Sequence, residues 1–350
     1  MNGLLSPAIR GLAMAAAVAS ITAAVPRRAD AQIAEGVSAM KLAATTKGAA
    51  EARGQRLDET VELACHNCYD RKLLTRFADA LKRTGTRSVE IDVFDDYRRH
   101  RGARPGAWYV RHKGRGNDNN CGTTRADGDL RTCLEVVRSW VMQTRPAGPI
   151  LVFLDKKQGW DDARSPRHLD SLILQVVPRE HIYAPGDLLS SGPHATLRDA
   201  AYAGGWRTVD SLQAMVMFVL TGPNVRLHRY VQERGDGAVA FVAPDVKHEL
   251  EVDELPRRFD ATTAPSVVFY NYRSTRRRTY AIAKRARDLR RMTRVWFPLE
   301  LRASEGQNTC KLMTAGANRI ARYKLFDLPA DGCIRRRPPK GSAADPKQQA

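Results

Sequence analysis

Short runs of apolar and β-branched residues recur along the chain, separated by longer stretches of mixed polarity. They are VELAC (61–65), SVEIDVF (88–94), PILVFLD (149–155), AMVMFVL (214–220), AVAFVA (238–243), SVVFYNY (266–272), RVWFPLEL (294–301) and RIARYKLF (319–326). Several intervening segments, such as DRKLLTRFADALKR (70–83) and LRTCLEVVRSWVMQ (130–143), repeat their apolar residues at three- and four-residue steps, the spacing of a helix with one buried face. Strands that alternate with helices predict a parallel sheet covered by helices. Eight such strands predict an α/β fold of the (β/α)8, or TIM, barrel type. A doubly wound open sheet is the structural alternative, but no G-x-G-x-x-G follows the first strand. The additional run AWYVRH (107–112) predicts a hairpin inserted after the second strand.

The ends of the chain read differently. Arg10 precedes an uncharged, alanine-rich run, GLAMAAAVASITAAV (11–25), and Ala29 and Ala31 form an Ala-x-Ala cleavage pattern. Residues 1–31 therefore predict a secretory signal peptide, too short in its apolar part to be a comfortable membrane span. Residues 32–57 form an Ala-, Gly- and Thr-rich lead-in, 58–334 the barrel, and 335–350 a basic tail without apolar periodicity, expected to be disordered. Export, to the periplasm or beyond the cell, changes how the six cysteines are read: an even count in an oxidising compartment favours disulfides. Proximity in sequence suggests Cys121–Cys133 and Cys310–Cys333, leaving Cys65 and Cys68 for each other. A zinc site is disfavoured, because no second Cys-x-x-Cys or His pair stands at the spacing it needs.

The formal charge is +19, and removing residues 1–31 takes away only three arginines and one aspartate. Such a balance favours anionic partners, among them phospholipid surfaces. Nucleic acid is not expected as a partner: the basic runs at 98–104 and 273–291 lack the interleaved aromatics of a base-stacking platform. Oligomeric state is not legible, and a monomer is the default expectation.

The chemistry concentrates at strand ends. In a strand, side chains two apart share a face, so Glu90 and Asp92 point one way while Val89, Ile91 and Val93 point the other. Packed on helices, the apolar face leaves both carboxylates inside a barrel, where they require a cation or a proton. ILVFLDKK repeats the arrangement, with Asp155 and Lys157 on the face of Leu151 and Phe153. His66 and His112 each end an apolar run and so fall at the same rim. Asn67 adds a neutral oxygen, and an oxygen-rich set selects Ca²⁺ or Mg²⁺ over zinc. No G-x-S-x-G elbow and no P-loop is present.

The ordered set HN, EID, VRH, FLDKK resembles the calcium-dependent phosphoinositide phospholipase C family of the secreted bacterial type. The resemblance runs over about residues 58–328 and takes in DGDLRTCLEVVRSWVMQTRPAGPILVFLDKK, HLDSLILQVVPREHIYAPGDLL and TLRDAAYAGGWRTVDSLQAMVMFVLTG. It implies a metal-dependent phosphodiesterase that cleaves a phosphoinositide at the glycerol–phosphate bond, with Ca²⁺ at the mouth of a TIM barrel. His66 and His112 then become the acid/base and phosphate-stabilising pair, Lys157 a charge stabiliser, and Asn67, Glu90, Asp92 and Asp155 the metal ligands. Two departures stand out: the eukaryotic members carry Glu where this chain has Asp155, and cysteines flank His66 where small or hydroxyl residues are usual. No membrane-binding module is recognisable beside the barrel, so docking on an anionic membrane is expected to fall to the barrel itself. The alternatives are a glycerophosphodiester phosphodiesterase, a sphingomyelinase-D-like lipase, which shares an Asp-x-Lys, and a non-catalytic lipid-binding barrel.

Overall fold

In a computed structural model, the structure describes residues 54–322 apart from 72–75, 96–106, 114–115, 124–127, 255–258, 275–277, 298–302 and the side chains of 303–308. The expected signal peptide, most of the lead-in, the basic tail and Cys333 lie outside the described residues. Among the described residues no helix is long and apolar enough to cross a membrane.

Every predicted strand is present: β1 (Glu62–Cys65), β2 (Ser88–Phe94), β4 (Ile150–Lys156), β5 (Val216–Thr221), β6 (Ala240–Val242), β7 (Phe269–Arg273), β8 (Met292–Trp296) and β9 (Arg319–Arg322). The hairpin run supplies β3 (Tyr109–Val110), which pairs antiparallel with β2 through Val93–Val110 and Phe94–Tyr109. The other strands pair in parallel in the order β6-β5-β4-β2-β1-β9-β8-β7. The two end strands meet beyond the end of β6, where Asn271 donates its amide to Pro244 O (3.0 Å) and accepts from the Val246 amide (3.0 Å). This Asp245–Asn271 bridge nearly closes the barrel.

Strand alternation sorts the core into two layers. Val89, Ile91, Val93, Val152, Leu154, Phe218 and Leu220 face outward and pack with Leu134, Val137 and Trp140 of the helix Leu130–Thr144. Leu151, Phe153, Met217, Val219, Phe241, Phe269 and Met292 face inward and continue into Leu57, Tyr183 and Trp206. The helix Leu130–Thr144 buries residues three and four apart, and the Asp129 side chain accepts from the Thr132 amide (3.0 Å) to cap its first turn. The helix expected over 70–83 runs instead from Phe77 to Thr84 and ends at Gly85, whose φ of +58° suits a glycine stop. Asp70 belongs to the turn after β1, where its amide donates to Asn67 O (2.8 Å).

Polar groups also hold the layers together. Asp170, on the helix Pro166–Val176, accepts from Tyr230 Oη (2.6 Å), Arg234 Nε (2.6 Å) and the Val239 amide (3.3 Å), tying that helix to the helix Asn224–Arg234 and to the start of β6. At the N-terminal end of the barrel, the fully buried Arg319 donates to Thr60 O (3.3 Å), Thr60 Oγ1 (3.1 Å) and Asn318 O (2.7 Å). Opposite it, Arg87 pairs with Glu62. Removing one partner of a buried charge pair strands the other, so Asp170→Ala is expected to cost about 3 kcal/mol of unfolding free energy. Urea denaturation at neutral pH checks this, and an unchanged midpoint would contradict it.

Candidate active site at the C-terminal mouth

The parallel register places the functional side chains before any loop has to reach. Asp92 lies directly opposite Asp155 and Glu90 opposite Phe153, so the strand alternation that buries Ile91 and Leu154 outward turns all three carboxylates inward. Their oxygens lie within 4.8 Å of one another. Cys65 pairs with Val89, which brings His66, one step further, beside Glu90: His66 Nε2 lies 3.1 Å from Glu90 Oε2. The β3 hairpin delivers His112, whose Nδ1 is 3.4 Å from Asp92 Oδ2 and 3.1 Å from the Asn67 amide nitrogen. Lys157 Nζ sits 2.5 Å from Asp155 Oδ2 and 3.3 Å from Asp92 Oδ1. All seven residues singled out from the sequence, which lie on β1, β2, β3, β4 and the turns that follow them, therefore converge on one mouth.

Alternation also separates two neighbouring lysines. Asp155 and Lys157 face the barrel axis, whereas Lys156 points outward, donates to Gln158 O (2.7 Å) and Gly159 O (2.8 Å), and lies 5.2 and 5.1 Å from the rings of Trp108 and Trp160. Its burial lowers its pKa to about 7.

The electrostatics divide the histidines. Burial pushes His66 below its ordinary pKa against the pull of Glu90, favouring the neutral ring; Trp296 packs edge-on to it at 5.9 Å. The contact with Asp92 raises His112, favouring the imidazolium. Burial pushes Glu90 upward, but Arg294, His66 and Lys157 together hold it below the ordinary carboxylate range. Burial likewise raises Asp92, to about 6, with the negative charges of Glu90 and Asp155 adding to the shift and His112 and Lys157 opposing it. Lys157 is raised, because Asp155, Asp92 and Glu90 outweigh its burial.

Sequence reasoning missed Arg294. It lies inside the barrel on β8, donates from Nη1 to Asn271 Oδ1 (2.8 Å), and places Nη2 2.8 Å from Glu90 Oε2. Asn271 in turn donates to Asp245 Oδ1 (2.6 Å). The period-two pattern contained the signal: Met292, Arg294 and Trp296 share one face of β8, but an apolar run opened at Arg294 treats that residue as a boundary.

The donor set suits a hard divalent cation. Three carboxylates lie together, and the Oδ1 of Asn67, in a residue 1% exposed, has no hydrogen-bond partner among the described residues. A buried carbonyl oxygen left unsatisfied is costly, and coordination would satisfy it. Asn67, Glu90, Asp92 and Asp155 could hold such an ion; His66 and His112 instead flank the carboxylates.

Comparison with known proteins agrees with this geometry. Residues 119–248 match the family model of Ca²⁺-dependent phosphoinositide phospholipase C, a segment that contains Asp155 and Lys157. A calcium-dependent phosphoinositol-specific phospholipase C from a Gram-negative bacterium, Pseudomonas sp., in an apo form with myo-inositol, superposes with a TM-score of 0.71 at 26% identity. That alignment covers 81% of this chain and 95% of the Pseudomonas chain. Over this segment and in its barrel fold the chain is similar to the calcium-dependent phosphoinositide phospholipases C. The fold is shared further with a Ca²⁺-dependent phosphatidylinositol-specific phospholipase C from Streptomyces antibioticus, with a TM-score of 0.64, 22% identity, and coverage of 77% of this chain and 95% of that one. No curated protein sequence matches the chain.

The calcium dependence of these similar enzymes makes the metal site directly testable. At a Ca²⁺ concentration of 100 times Kd, binding to the folded state adds about 2.7 kcal/mol of stability. Asp155→Asn, a change at a partly exposed carboxylate, is expected to remove that shift. Thermal unfolding with and without Ca²⁺ reads both; a wild-type melting temperature indifferent to Ca²⁺ would rule the site out.

Proposed function

We propose that the protein cleaves phosphatidylinositol-type lipids between glycerol and phosphate, releasing diacylglycerol and a cyclic or open inositol phosphate. The observation that carries this reading is the convergence of two imidazoles in different environments, three carboxylates and a lysine on one barrel mouth. Similarity to the phosphoinositide phospholipases C favours this substrate over the glycerophosphodiester and sphingomyelin alternatives.

A bound Ca²⁺ supplies charge to a phosphate oxygen and lowers the pKa of a neighbouring hydroxyl. Asn67, Glu90, Asp92 and Asp155 are the residues that would hold it. The inositol 2-hydroxyl attacks phosphorus, and its proton passes to Glu90 or Asp155. His112, whose pKa the contact with Asp92 raises, donates to the leaving glycerol oxygen or to a non-bridging oxygen. His66, whose pKa burial lowers and which is braced between Glu90 and the Trp296 edge, assists the proton movements around phosphorus. Lys157 stabilises the charge that develops on the phosphorane. Water can then open the cyclic product with the acid and base roles exchanged. Lys157 also neutralises Asp92 and Asp155, so its ammonium competes with any cation taken up by the same oxygens.

His66→Ala is expected to reduce kcat by about 10²–10⁴-fold, the range for loss of a positioned acid or base. Melting temperature should stay near wild type, and near-wild-type turnover would remove His66 from the mechanism. Substrate class is tested by assaying phosphatidylinositol, glycerophosphodiesters and sphingomyelin with Ca²⁺ and with Mg²⁺. Inositol phosphate release that is abolished by chelation and restored by Ca²⁺ is the expected result; glycerol phosphate or ceramide phosphate products would overturn the assignment.

A further inference from the structure

Cys65 and Cys68 form a disulfide that encloses two residues, His66 and Asn67, and both cysteines are 1% exposed. Asn67 has a φ of +60°, in the left-handed region that most L-residues avoid and that asparagine tolerates better than most. The turn is anchored at both ends. On the Cys65 side the His66 amide donates to Arg322 O (3.1 Å) on β9. On the Cys68 side Tyr69 Oη donates to Arg111 O (3.2 Å), next to His112. The turn has to present two side chains in fixed directions: the His66 ring toward Glu90 and the Asn67 amide beside His112, with its buried oxygen unpartnered among the described residues. A four-residue turn without a cross-link has more conformations open to it, including those with Asn67 at negative φ, which would point its amide in another direction.

We infer that the Cys65–Cys68 bridge is a positioning device for cation binding, holding Asn67 in its left-handed conformation so that its carbonyl oxygen stays with the carboxylate set. Cys65 and Cys68 touch neither metal nor substrate; they act through Asn67 and His66. The inference rests on the reading of Asn67 as a ligand. It also makes the site redox-dependent. A dithiol that reduces the bridge transfers two electrons and two protons to give two cysteine thiols, is itself oxidised to its cyclic disulfide, and frees the turn.

Cation affinity separates positioning from general stability. Ca²⁺ would be titrated calorimetrically into the full-length wild type, into Cys65→Ser/Cys68→Ser, and into Cys121→Ser/Cys133→Ser, which removes the other described bridge, one that encloses no residue of the candidate ligand set. Loss of a group that orients a metal ligand typically costs about 10–100-fold in affinity. The 65/68 variant should therefore weaken Kd by at least about tenfold, whereas the 121/133 variant, though less stable, should keep Kd within about twofold. Equal Kd in a folded 65/68 variant and the wild type overturns the inference and leaves the proposed function standing; absence of Ca²⁺ binding in the wild type overturns both. If the 65/68 variant does not fold, the native protein is reduced stepwise with dithiothreitol, alkylated and mapped by mass spectrometry. Ca²⁺ binding should then fall in step with labelling at Cys65 and Cys68, and binding that survives full labelling there overturns the inference.

Discussion

Glu90 and Asp92 are each no more than 3% exposed and, with Asp155, bring three carboxylates to the mouth of a barrel whose interior is otherwise largely apolar. Bringing three like charges within reach of one another, away from water, is unfavourable unless positive charge is built around them. Much of the local architecture answers that need. Arg294 comes up from β8 to Glu90, Lys157 folds back from the end of β4 to Asp155 and Asp92, and the β3 hairpin carries His112 to Asp92. The two imidazoles inherit opposite protonation tendencies from this arrangement, because one is buried among cations and the other rests on a carboxylate with a partly elevated pKa. A site whose two rings are biased in opposite directions is suited to donate and accept protons in the same turnover.

Barrel strands and the inserted hairpin were legible in the sequence because each strand is a short apolar run with one face for the helices and one for the interior. The same alternation identified Glu90, Asp92, Asp155 and Lys157 as inward-facing. Contacts between strands distant in sequence were not legible. His66 and Glu90 meet only because β1 and β2 pair in one register, and Arg294 reaches Glu90 from more than two hundred positions away. Arginine in a strand reads as an interruption of an apolar run, yet Arg294 and Arg319 are among the largest fully buried side chains. The helix expected from 70 begins at Phe77, since the residues after Cys68 are used by the turn that supports Asn67. Cysteine spacing suggested the bridge; the backbone of Asn67 explains what the bridge can do.

The seam between β6 and β7 has a consequence for the electrostatics. These two end strands are joined by the hydrogen bonds around Asn271, and the Asn271 side chain also holds Arg294 through its oxygen and Asp245 through its amide. Any breathing motion that parts the staves here loosens the guanidinium that neutralises Glu90. The seam of the cylinder and the charge balance at its centre thus share a single asparagine, which couples the closure of the wall to the placement of the guanidinium beside Glu90.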